Sequence, residues 1–263
     1  MQQNKHIERD QESSAKLYDN RSLEVDYRTL KPLLKKGISV LDIGCGTGAI
    51  SKDIAKIVGS KGQVVGIDNT ELIITRGSKT YKNIKNLKLI HCDLFEYESE
   101  EKYDLIIAAR VLQWLSNPKE ALLKIKSMLK PEGQISILDY NHDGLEWNPE
   151  PPKSMFQFYQ AFLKWRNDAG MNNQIAIDLP RLLEEAGFRS IETINSDEYY
   201  HKNRPDFMSK VGIWSNVAGL NQIVDEGYLD ENLRLKAIEE YDKWVENKAI
   251  SMTMKLNEVR GRL

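Results

Sequence analysis

The chain has 263 residues, with 37 basic and 39 acidic side chains and a formal net charge of −2. A chain of this length can bury a core without disulfides or a metal. The balanced charge argues against the basic surface that nucleic acids require, so no nucleic-acid partner is predicted. The two cysteines, Cys45 and Cys92, lie in apolar segments and are predicted to be free, buried side chains.

The N-terminal part of the sequence is polar. Its first thirty residues show no apolar run, and no later stretch approaches about 18 consecutive apolar residues, the length that spans a bilayer. We therefore expect a soluble, cytoplasmic protein with no membrane partner.

Short apolar runs alternate with amphipathic stretches between residues 38 and 140. The start of one helix is marked by Asn117, Pro118 and Glu120, and Pro131 and Gly133 are expected to end it. Runs of strand length occupy residues 38–43, 63–68, 88–92, 103–108 and 134–139. This alternation predicts an α/β fold with a parallel sheet, helices on both faces, and a ligand site at the carboxyl ends of the strands.

The sequence after residue 140 is less regular. We expect a proline-rich loop in "HDGLEWNPEPPKS", an aromatic helix in "MFQFYQAFLKW", and a helix that Asp178 caps and Gly187 ends. Residues 188–195 are typical of a strand and residues 205–248 of helices, and residues 250–263 alternate like an edge strand.

The stretch "VLDIGCGTGAI", residues 40–50, places three glycines directly after a predicted strand. Glycines there let the backbone approach a ligand closely and aim N–H groups at it. The run also satisfies the dinucleotide fingerprint loosely, through Gly44, Gly46 and Ala49. The carboxylate of Asp42 would repel a pyrophosphate and attract an ammonium or sulfonium group. A cationic ligand resembling an amino acid therefore suits this loop better than a dinucleotide.

The same stretch resembles motif I of the class I S-adenosylmethionine-dependent methyltransferases, whose usual form is close to "hLDhGCGTG" with h apolar. The resemblance covers most of residues 13–195 and is to the small-molecule branch, which includes UbiE-type and trans-aconitate methyltransferases. It implies a doubly wound, Rossmann-like sheet of seven mostly parallel strands with an antiparallel last strand. It also implies a methyltransferase enzyme that uses S-adenosyl-L-methionine and releases S-adenosyl-L-homocysteine.

On this resemblance we expect one methyltransferase domain over residues 1–263. Residues 1–36 would form an N-terminal helical flap, and residues 37–140 the cofactor-binding core. Residues 141–177 and 205–248 would form helical cap insertions, and residues 178–204 and 249–263 would complete the sheet.

The resemblance implies a cofactor site built from several strand ends. Asp68 would accept hydrogen bonds from the ribose hydroxyls, as a carboxylate at a strand end can, and Asn69 would lie against the adenine. The residues implied around the methionine moiety are Tyr18, Arg21, Asp42, Gly44, Cys45, Gly46 and Gly48. Further cofactor contacts are implied for Asp93 and Leu94, at the adenine, and for Arg110 and Gln113.

The acceptor is expected to be a small organic molecule. The segment after the fourth strand lacks the "NPPY" or "DPPY" sequence of amino methyltransferases that act on DNA bases. The predicted acceptor pocket consists of Trp114, Tyr140, Trp147 and Phe158. His142 is the candidate general base for a hydroxyl or protonated amine acceptor. Since no cluster of Cys, His and carboxylates has metal-ligand spacing, no metal is predicted.

Two other functions stay open at this point. An NAD(P)-dependent oxidoreductase would account for the loose dinucleotide fingerprint and for Asp68, although Asp42 disfavours it. A protein that binds the cofactor and transfers nothing would share all the cofactor motifs. The motifs do not distinguish oxygen, nitrogen and carbon acceptors, and they predict no oligomeric state.

Overall fold

The computed structural model of the chain describes Lys5, Ile7 and residues 19–263. In that part of the chain the strands are β1 Ser39–Ile43, β2 Gln63–Asp68, β3 Leu87–His91, β4 Tyr103–Ala109, β5 Leu129–Asn148, β6 Arg189–Asn195, β7 Glu198–His201 and β8 Ser251–Arg262. They form one sheet in the order β3-β2-β1-β4-β5-β8-β6, and β7 pairs with β8.

Strands β1 to β5 run parallel, and β8 is antiparallel to β5, β6 and β7. All five residues of β1 are buried, which explains its apolar sequence at the centre of a sheet covered on both faces. The expected Rossmann-like sheet with an antiparallel last strand is confirmed. The described chain has eight strands rather than the expected seven, because Glu198–His201 adds a short strand along β8.

Helices cover both faces of the sheet. Their bounds are α1 Leu23–Asp26, α2 Ser51–Val58, α3 Glu71–Thr80, α4 Pro118–Met128, α5 Lys153–Asp168, α6 Ile175–Glu185, α7 Phe207–Val211, α8 Ile213–Ala218, α9 Gln222–Asp225 and α10 Glu231–Asn247, with 3-10 turns at Arg28–Leu33 and Leu112–Trp114. On one face, α4 and α6 bury residues such as Ile125 and Leu179. On the other face, α2, α5 and α10 bury Ile54, Phe158 and Tyr241.

Helix α4 begins as its sequence predicts. Asn117 Oδ1 accepts a hydrogen bond of 3.3 Å from the backbone N–H of Glu120, and Pro118 is the first helical residue. The helix ends at Met128, so the prediction that Pro131 and Gly133 end it was wrong by a few residues. Those two residues lie inside β5, which begins at Leu129.

Strand β5 is longer than its apolar run. We expected a loop after residue 140, but the strand continues to Asn148 across a bulge between Asn141 and Glu146. The cause is β8, which pairs with residues 134–141 and again with residues 146–148 of β5 and supplies the backbone partners that a loop would leave to water. Strand β8 was wrongly predicted to be an edge strand, since it lies between β5 and β6.

The bounds of the C-terminal helices agree only in part with those predicted from the sequence. Helix α6 begins at Ile175, so Asp178 lies in its first turn and accepts a hydrogen bond from Asn172 rather than capping the helix. Gly187 follows the helix with φ of 84°, as its position predicts. The expected helical region 205–248 is confirmed, but it is divided among α7, α8, α9 and α10.

Helix α3 approaches the backbone of residues 44–50, which we call the glycine loop. The approach occurs at Gly77, which is buried. A Cβ atom at that position would lie 2.2 Å from the carbonyl oxygen of Thr47. Because the opposing atom belongs to the backbone, it cannot move aside as the end of a flexible side chain can. Glycine at this position therefore sets how closely α3 packs on the glycine loop.

We predict that Gly77→Ala lowers the free energy of unfolding by about 1–3 kcal/mol, the usual cost of overpacking. In an ordinary helix the same change stabilises, by roughly 0.5–1 kcal/mol, so the sign is diagnostic. Urea denaturation would measure it. The control is Ser78→Ala at the adjacent exposed position, which should change stability by less than about 0.5 kcal/mol. A Gly77→Ala protein as stable as the wild type would contradict this packing.

Candidate functional site

The glycine loop connects the carboxyl end of β1 to α2. Gly44, Gly46 and Gly48 have φ of 65°, 58° and 77°, a backbone region that residues with a side chain rarely adopt. At Gly44 a Cβ atom would also lie 2.4 Å from a methyl carbon of Val111. The loop therefore needs glycine for its path and for its contact with the segment after β4.

The end of β2 fixes the glycine loop. The N–H of Cys45 donates to the carbonyl of Ile67 at 3.0 Å. The N–H of Gly46 donates to Asp68 Oδ2 at 3.0 Å, and the N–H of Thr70 donates to Asp68 Oδ1 at 3.0 Å. Each carboxylate oxygen can accept a second hydrogen bond. Asp68 can therefore hold the loop and still receive hydroxyl donors from a ligand.

Asp42 lies near the end of β1 below the glycine loop and is 3% exposed. Ser51 Oγ, at the start of α2, donates a hydrogen bond of 2.6 Å to Asp42 Oδ2. Burial raises the pKa of Asp42 to about 7, and the nearby Asp68 carboxylate raises it as well, against the Ser51 hydrogen bond. A positive ligand group beside Asp42 would relieve this cost of burying a carboxylate.

A small cleft opens at the glycine loop. Its lining combines charge at one end with small apolar groups: Arg21, Asp42, Gly44, Cys45, Ala49, Ile50 and Ala109. An arginine and a carboxylate in one small cleft match the two charges of an amino-acid zwitterion. The residues present therefore fit the amino-acid end of the implied cofactor, and the structure brings Arg21 to the same cleft as Asp42 and Gly44.

The segment before β1 packs over this edge of the sheet. Asp19 forms an ion pair with Arg76 of α3, with 2.5 Å between Oδ2 and Nη2. The backbone N–H of Leu23 donates to Asp53 of α2 at 3.3 Å. Tyr18, the other predicted methionine contact, lies outside the described residues. The segment is thus anchored on both helices that flank the cleft.

The predicted adenine residues lie at the ends of β2 and β3. Asn69 is exposed directly after β2, and its carbonyl contacts the imidazole of His91. Asp93 is half-buried, and its Oδ1 accepts a hydrogen bond of 2.8 Å from the N–H of Phe95. Leu94 is buried in the core. The structure brings the carboxylates of Asp68 and Asp93 to the same edge of the sheet.

Arg110 directly follows β4 and has φ of 62°. Its guanidinium is buried: Nε donates to the hydroxyl of Tyr140 at 2.8 Å, and Nη2 donates to the carboxylate of Glu198 and to the carbonyl of Asp26. Burial raises the pKa of Tyr140 to about 12, although Arg110 lowers it. The residue that lines the cleft is Ala109, so the Arg110 side chain is committed to a neighbouring polar cluster.

Gln113 lies in the 3-10 turn after β4 and is 2% exposed. Its backbone N–H donates to Asp139 Oδ2 at 3.1 Å, and its side-chain Nε2 donates to the carbonyl of Arg110 at 3.2 Å. Burial raises the pKa of Asp139 to about 7. The carboxylate of Asp139 thereby fixes the turn that carries Gln113 and Trp114 at the carboxyl end of β4.

His142 lies on β5 and not in the loop that the sequence suggested. It is 5% exposed, and its Nε2 is 2.6 Å from Gln113 Oε1. Burial lowers the pKa of His142 well below its ordinary value, and the charge of Arg166 lowers it further. Its imidazole contacts the rings of Phe162 and Trp214 edge to face. The imidazole is therefore neutral at physiological pH and enclosed by the aromatic helices.

The remaining predicted pocket residues are divided between the site and the core. The Trp114 ring lies under the Arg166 guanidinium, 4.7 Å from ring centre to Cζ. Trp147 donates to the Tyr241 hydroxyl at 3.0 Å on the cap side of β5. Phe158 is fully buried and stacks on Phe162. Tyr140 and Trp114 thus lie near the carboxyl ends of β4 and β5, whereas Phe158 belongs to the core.

Two residues of this region were not predicted from the sequence. Ser51 follows Asp42 by nine residues at the start of α2, and its position directly after the glycine run could have indicated it. Glu198 is 88 residues from Arg110, and nothing in its local sequence marks it as an ion-pair partner.

Among the described residues, no three His, Cys, Asp or Glu side chains are grouped so that they could hold a metal ion. No helix in the described part of the chain has both the length and the apolar composition needed to cross a bilayer. Both cysteines are free, as predicted, but they are half-buried rather than buried.

The chain matches known methyltransferases in sequence. A family model described as a methyltransferase domain matches residues 34–202, which is more than half of the chain. A demethylmenaquinone methyltransferase of Staphylococcus aureus is 28% identical over 183 residues, covering 62% of this chain and 73% of that protein. The prediction of a methyltransferase enzyme is thereby confirmed.

Solved structures share the fold at low sequence identity. The phosphoethanolamine N-methyltransferase 2 of Haemonchus contortus, in complex with S-adenosyl-L-methionine, has a TM-score of 0.62 and 17% identity over 96% of this chain. The match spans only 57% of the Haemonchus chain. A SAM-dependent methyltransferase of Aquifex aeolicus has a TM-score of 0.52 and 24% identity, covering 72% of this chain and 91% of its own. With its glycine loop and strands β1 to β7 inside residues 34–202, the chain belongs to the methyltransferase domain family.

Proposed function

We propose that this methyltransferase moves a methyl group from S-adenosylmethionine to a small organic acceptor. The observation that carries the proposal is the position of Asp68, whose carboxylate holds the N–H of Gly46 beside the cleft that Asp42 and Arg21 line. This arrangement offers an acceptor of hydroxyl hydrogen bonds next to a site for an amino-acid zwitterion. A ligand in which a nucleoside is joined to an amino acid would use both the hydrogen-bond acceptor for its hydroxyls and the site for its zwitterion.

The described residues suggest a role for each part of the cofactor site. Asp42 would face the positively charged groups of the methionine end, and Arg21 would pair with its carboxylate. Asp68 would accept hydrogen bonds from the ribose hydroxyls. These bonds would use the lone pairs of its carboxylate oxygens that the N–H groups of Gly46 and Thr70 leave free. Asp93 lies at the next strand end, where the adenine is expected.

The bound cofactor supplies a methyl group that is already activated by the positive charge on sulfur. The protein then has to hold the acceptor in line with that methyl group and exclude water. Leu23, 2% exposed, packs in the core that α2 helps to form, and its backbone N–H is held by Asp53 of α2, so the segment that carries Arg21 is fixed beside the cleft. Ala109 leaves room at the cleft wall where a larger side chain would not.

The acceptor would enter beside Tyr140 and Trp114, at the carboxyl ends of β4 and β5. His142 was predicted to act as the general base. Because its imidazole is buried, neutral and held by Gln113, we infer that it positions the Gln113 turn. Its catalytic role stays a prediction that kcat against pH for a His142→Gln protein would test.

The alternatives have less support. An NAD(P)-dependent oxidoreductase would place a pyrophosphate against the buried carboxylate of Asp42, which repels it, and family membership also disfavours it. A protein that binds the cofactor without transfer is distinguished by activity alone. It would bind S-adenosylmethionine and methylate nothing in a broad panel of acceptors.

The first experiment is an isothermal titration with S-adenosylmethionine and S-adenosylhomocysteine. We expect wild-type binding that Asp68→Ala weakens by about 10- to 100-fold, since hydrogen bonds to charged groups contribute about 1.5–3 kcal/mol each. The control is Asp104→Ala, at the amino end of β4, where Ser39 and Lys130 bind the carboxylate. Equal affinities in wild type and Asp68→Ala would contradict the assigned role, and no binding to wild type would contradict the proposed function.

The pKa of Asp42 predicts how cofactor affinity depends on pH. With a pKa of about 7, the carboxylate gains its charge as pH rises from 6 to 8. S-adenosylhomocysteine carries an ammonium group over this range, so its affinity should rise by up to about tenfold. In Asp42→Asn the affinity should be lower and nearly independent of pH. A wild-type affinity that falls between pH 6 and 8 would show that Asp42 does not face a positive group.

The raised pKa of Asp42 also predicts how the free energy of unfolding depends on pH. A carboxyl group whose pKa is raised by folding binds a proton more tightly in the folded state, so the stability of the free protein falls as pH rises from about 4 towards 7. Urea denaturation should show a shallower fall in Asp42→Asn than in wild type. If Asp42→Asn and the wild type show the same slope of unfolding free energy against pH, the pKa of Asp42 is not raised in the folded protein.

A further inference from the structure

Arg110 has an unused hydrogen-bonding group. The residue is 7% exposed, and its Nη1 is buried with no hydrogen-bond partner in the described structure. Its Nε and Nη2 are occupied by Tyr140, Glu198 and the carbonyl of Asp26. Buried donors are nearly always satisfied in folded proteins, so an exception calls for an explanation such as an absent ligand.

Two small clefts are adjacent to Arg110 through its neighbour in sequence and its hydrogen-bond partners. Ala109, directly before it, lines the cofactor cleft. Glu198 and Asp26, which bind its Nη2, line a second cleft together with Leu138 and Ser196. A molecule in the second cleft would therefore lie close to the Arg110 guanidinium.

A second donor lies beside this guanidinium. The Tyr140 hydroxyl accepts a hydrogen bond from Arg110 Nε, which leaves its own hydrogen to donate. The positive charge of Arg21, in the cofactor cleft, is close enough to influence Tyr140. Arg110 Nη1 and the Tyr140 hydroxyl are thus hydrogen-bond donors beside a cleft whose two carboxylates, Asp26 and Glu198, are already paired with positive charges.

We propose that the methyl acceptor carries a carboxylate, which Arg110 Nη1 and the Tyr140 hydroxyl hold next to the cofactor cleft. The proposal rests on the proposed function and adds the chemical class of the acceptor. It assigns Arg110 to acceptor recognition, where the sequence resemblance implied a cofactor contact. The donated hydrogen bonds orient the acceptor, and the methyl group is transferred to another atom of the same molecule.

The ion pair between Arg110 and Glu198 explains why a cationic acceptor fits this position less well than a carboxylate. An amine bound by Glu198 would compete for the carboxylate that neutralises Arg110. Arg110 would then be a buried charge without its counter-ion, which is strongly unfavourable. A carboxylate acceptor leaves that ion pair intact and adds a charge-assisted hydrogen bond at the vacant nitrogen.

The same reasoning favours a carboxylate over a phosphate group. Arg110 already neutralises Glu198, and Lys210 already pairs with Asp26 at 3.3 Å. A dianion at this point would meet Glu198 with insufficient positive charge nearby. A carboxylate adds only one negative charge and can also accept a hydrogen bond from the Tyr140 hydroxyl, so its repulsion by Glu198 is smaller than that of a phosphate dianion.

The backbone supports a functional role for Arg110. Its φ of 62° places a large side chain in the left-handed region, where strain is usually retained only when the position is needed. The Arg110 N–H is held by the carbonyl of Leu138 at 2.6 Å. The strained residue is therefore fixed to β5, and its guanidinium contacts Asp26 and Glu198, which line the second cleft.

The test uses the full chain saturated with S-adenosylhomocysteine. The probes are acetate, succinate, benzoate and 4-hydroxybenzoate, each paired with its primary amide and titrated at constant ionic strength. We expect at least one acid to bind the wild type about tenfold or more tightly than its amide, the value of one charge-assisted hydrogen bond. Arg110→Lys, which keeps the charge and loses the planar fork, should lose most of that preference.

Two further variants keep the test valid if the loss of Arg110 disturbs folding. The double variant Arg110→Gln with Glu198→Gln removes both members of the ion pair, and it should bind acid and amide equally. Glu198→Gln alone should bind the acid more tightly, because the competing carboxylate is gone. The matched control is Arg204→Gln, whose guanidinium pairs with Asp206 and should leave the preference unchanged.

Each outcome decides a separate point. If the wild type binds the cofactor product but prefers no acid over its amide, or if the preference survives in both Arg110 variants, the acceptor proposal is wrong while the proposed function stands. If inorganic phosphate binds in an Arg110-dependent way more tightly than every acid, the carboxylate assignment is overturned. If S-adenosylhomocysteine does not bind the wild type, the proposed function itself fails.

Discussion

The hydrogen bond from the Gly46 N–H to the Asp68 carboxylate is the constraint on which the site depends. With the bond from Cys45 to Ile67, it ties the glycine loop to the end of β2 and gives the loop one conformation. Helix α3 packs on the other side of that loop at Gly77. The loop, Asp42 below it and the cleft beside it are therefore placed by the sheet rather than by a ligand.

A second set of buried polar bonds ties the N-terminal segment to the sheet. The Tyr27 hydroxyl is 2.7 Å from Ser136 Oγ, which donates to the buried carboxylate of Glu258 at 2.6 Å. The Glu258 carboxylate also accepts from Arg260 at 2.7 Å. This chain crosses from the segment before β1 to β5 and β8. It holds the segment that carries Arg21 against the sheet, because a buried polar group that loses its partner is costly.

The sequence was most informative where function depends on consecutive residues. The glycine loop, Asp42, Asp68 and the parallel strands follow from local patterns, because their geometry is set by residues next to each other in the chain. The continuation of β5 to Asn148 depends on pairing with β8, more than a hundred positions away. The inner position of β8 also depends on β6, and the burial of His142 depends on Gln113, Phe162 and Trp214, all of them distant in sequence. The ion pair of Arg110 with Glu198 is of the same kind, since no local pattern marks either residue as the other's partner.

The most direct test is a crystal structure of the protein grown with S-adenosylhomocysteine. The account predicts that the ribose hydroxyls lie within hydrogen-bond distance of Asp68 and that the amino-acid end lies in the cleft between Asp42 and Arg21, with the Gly46 bond to Asp68 retained. Density for the ligand at another place, or a glycine loop that must leave Asp68 to admit it, would contradict the account.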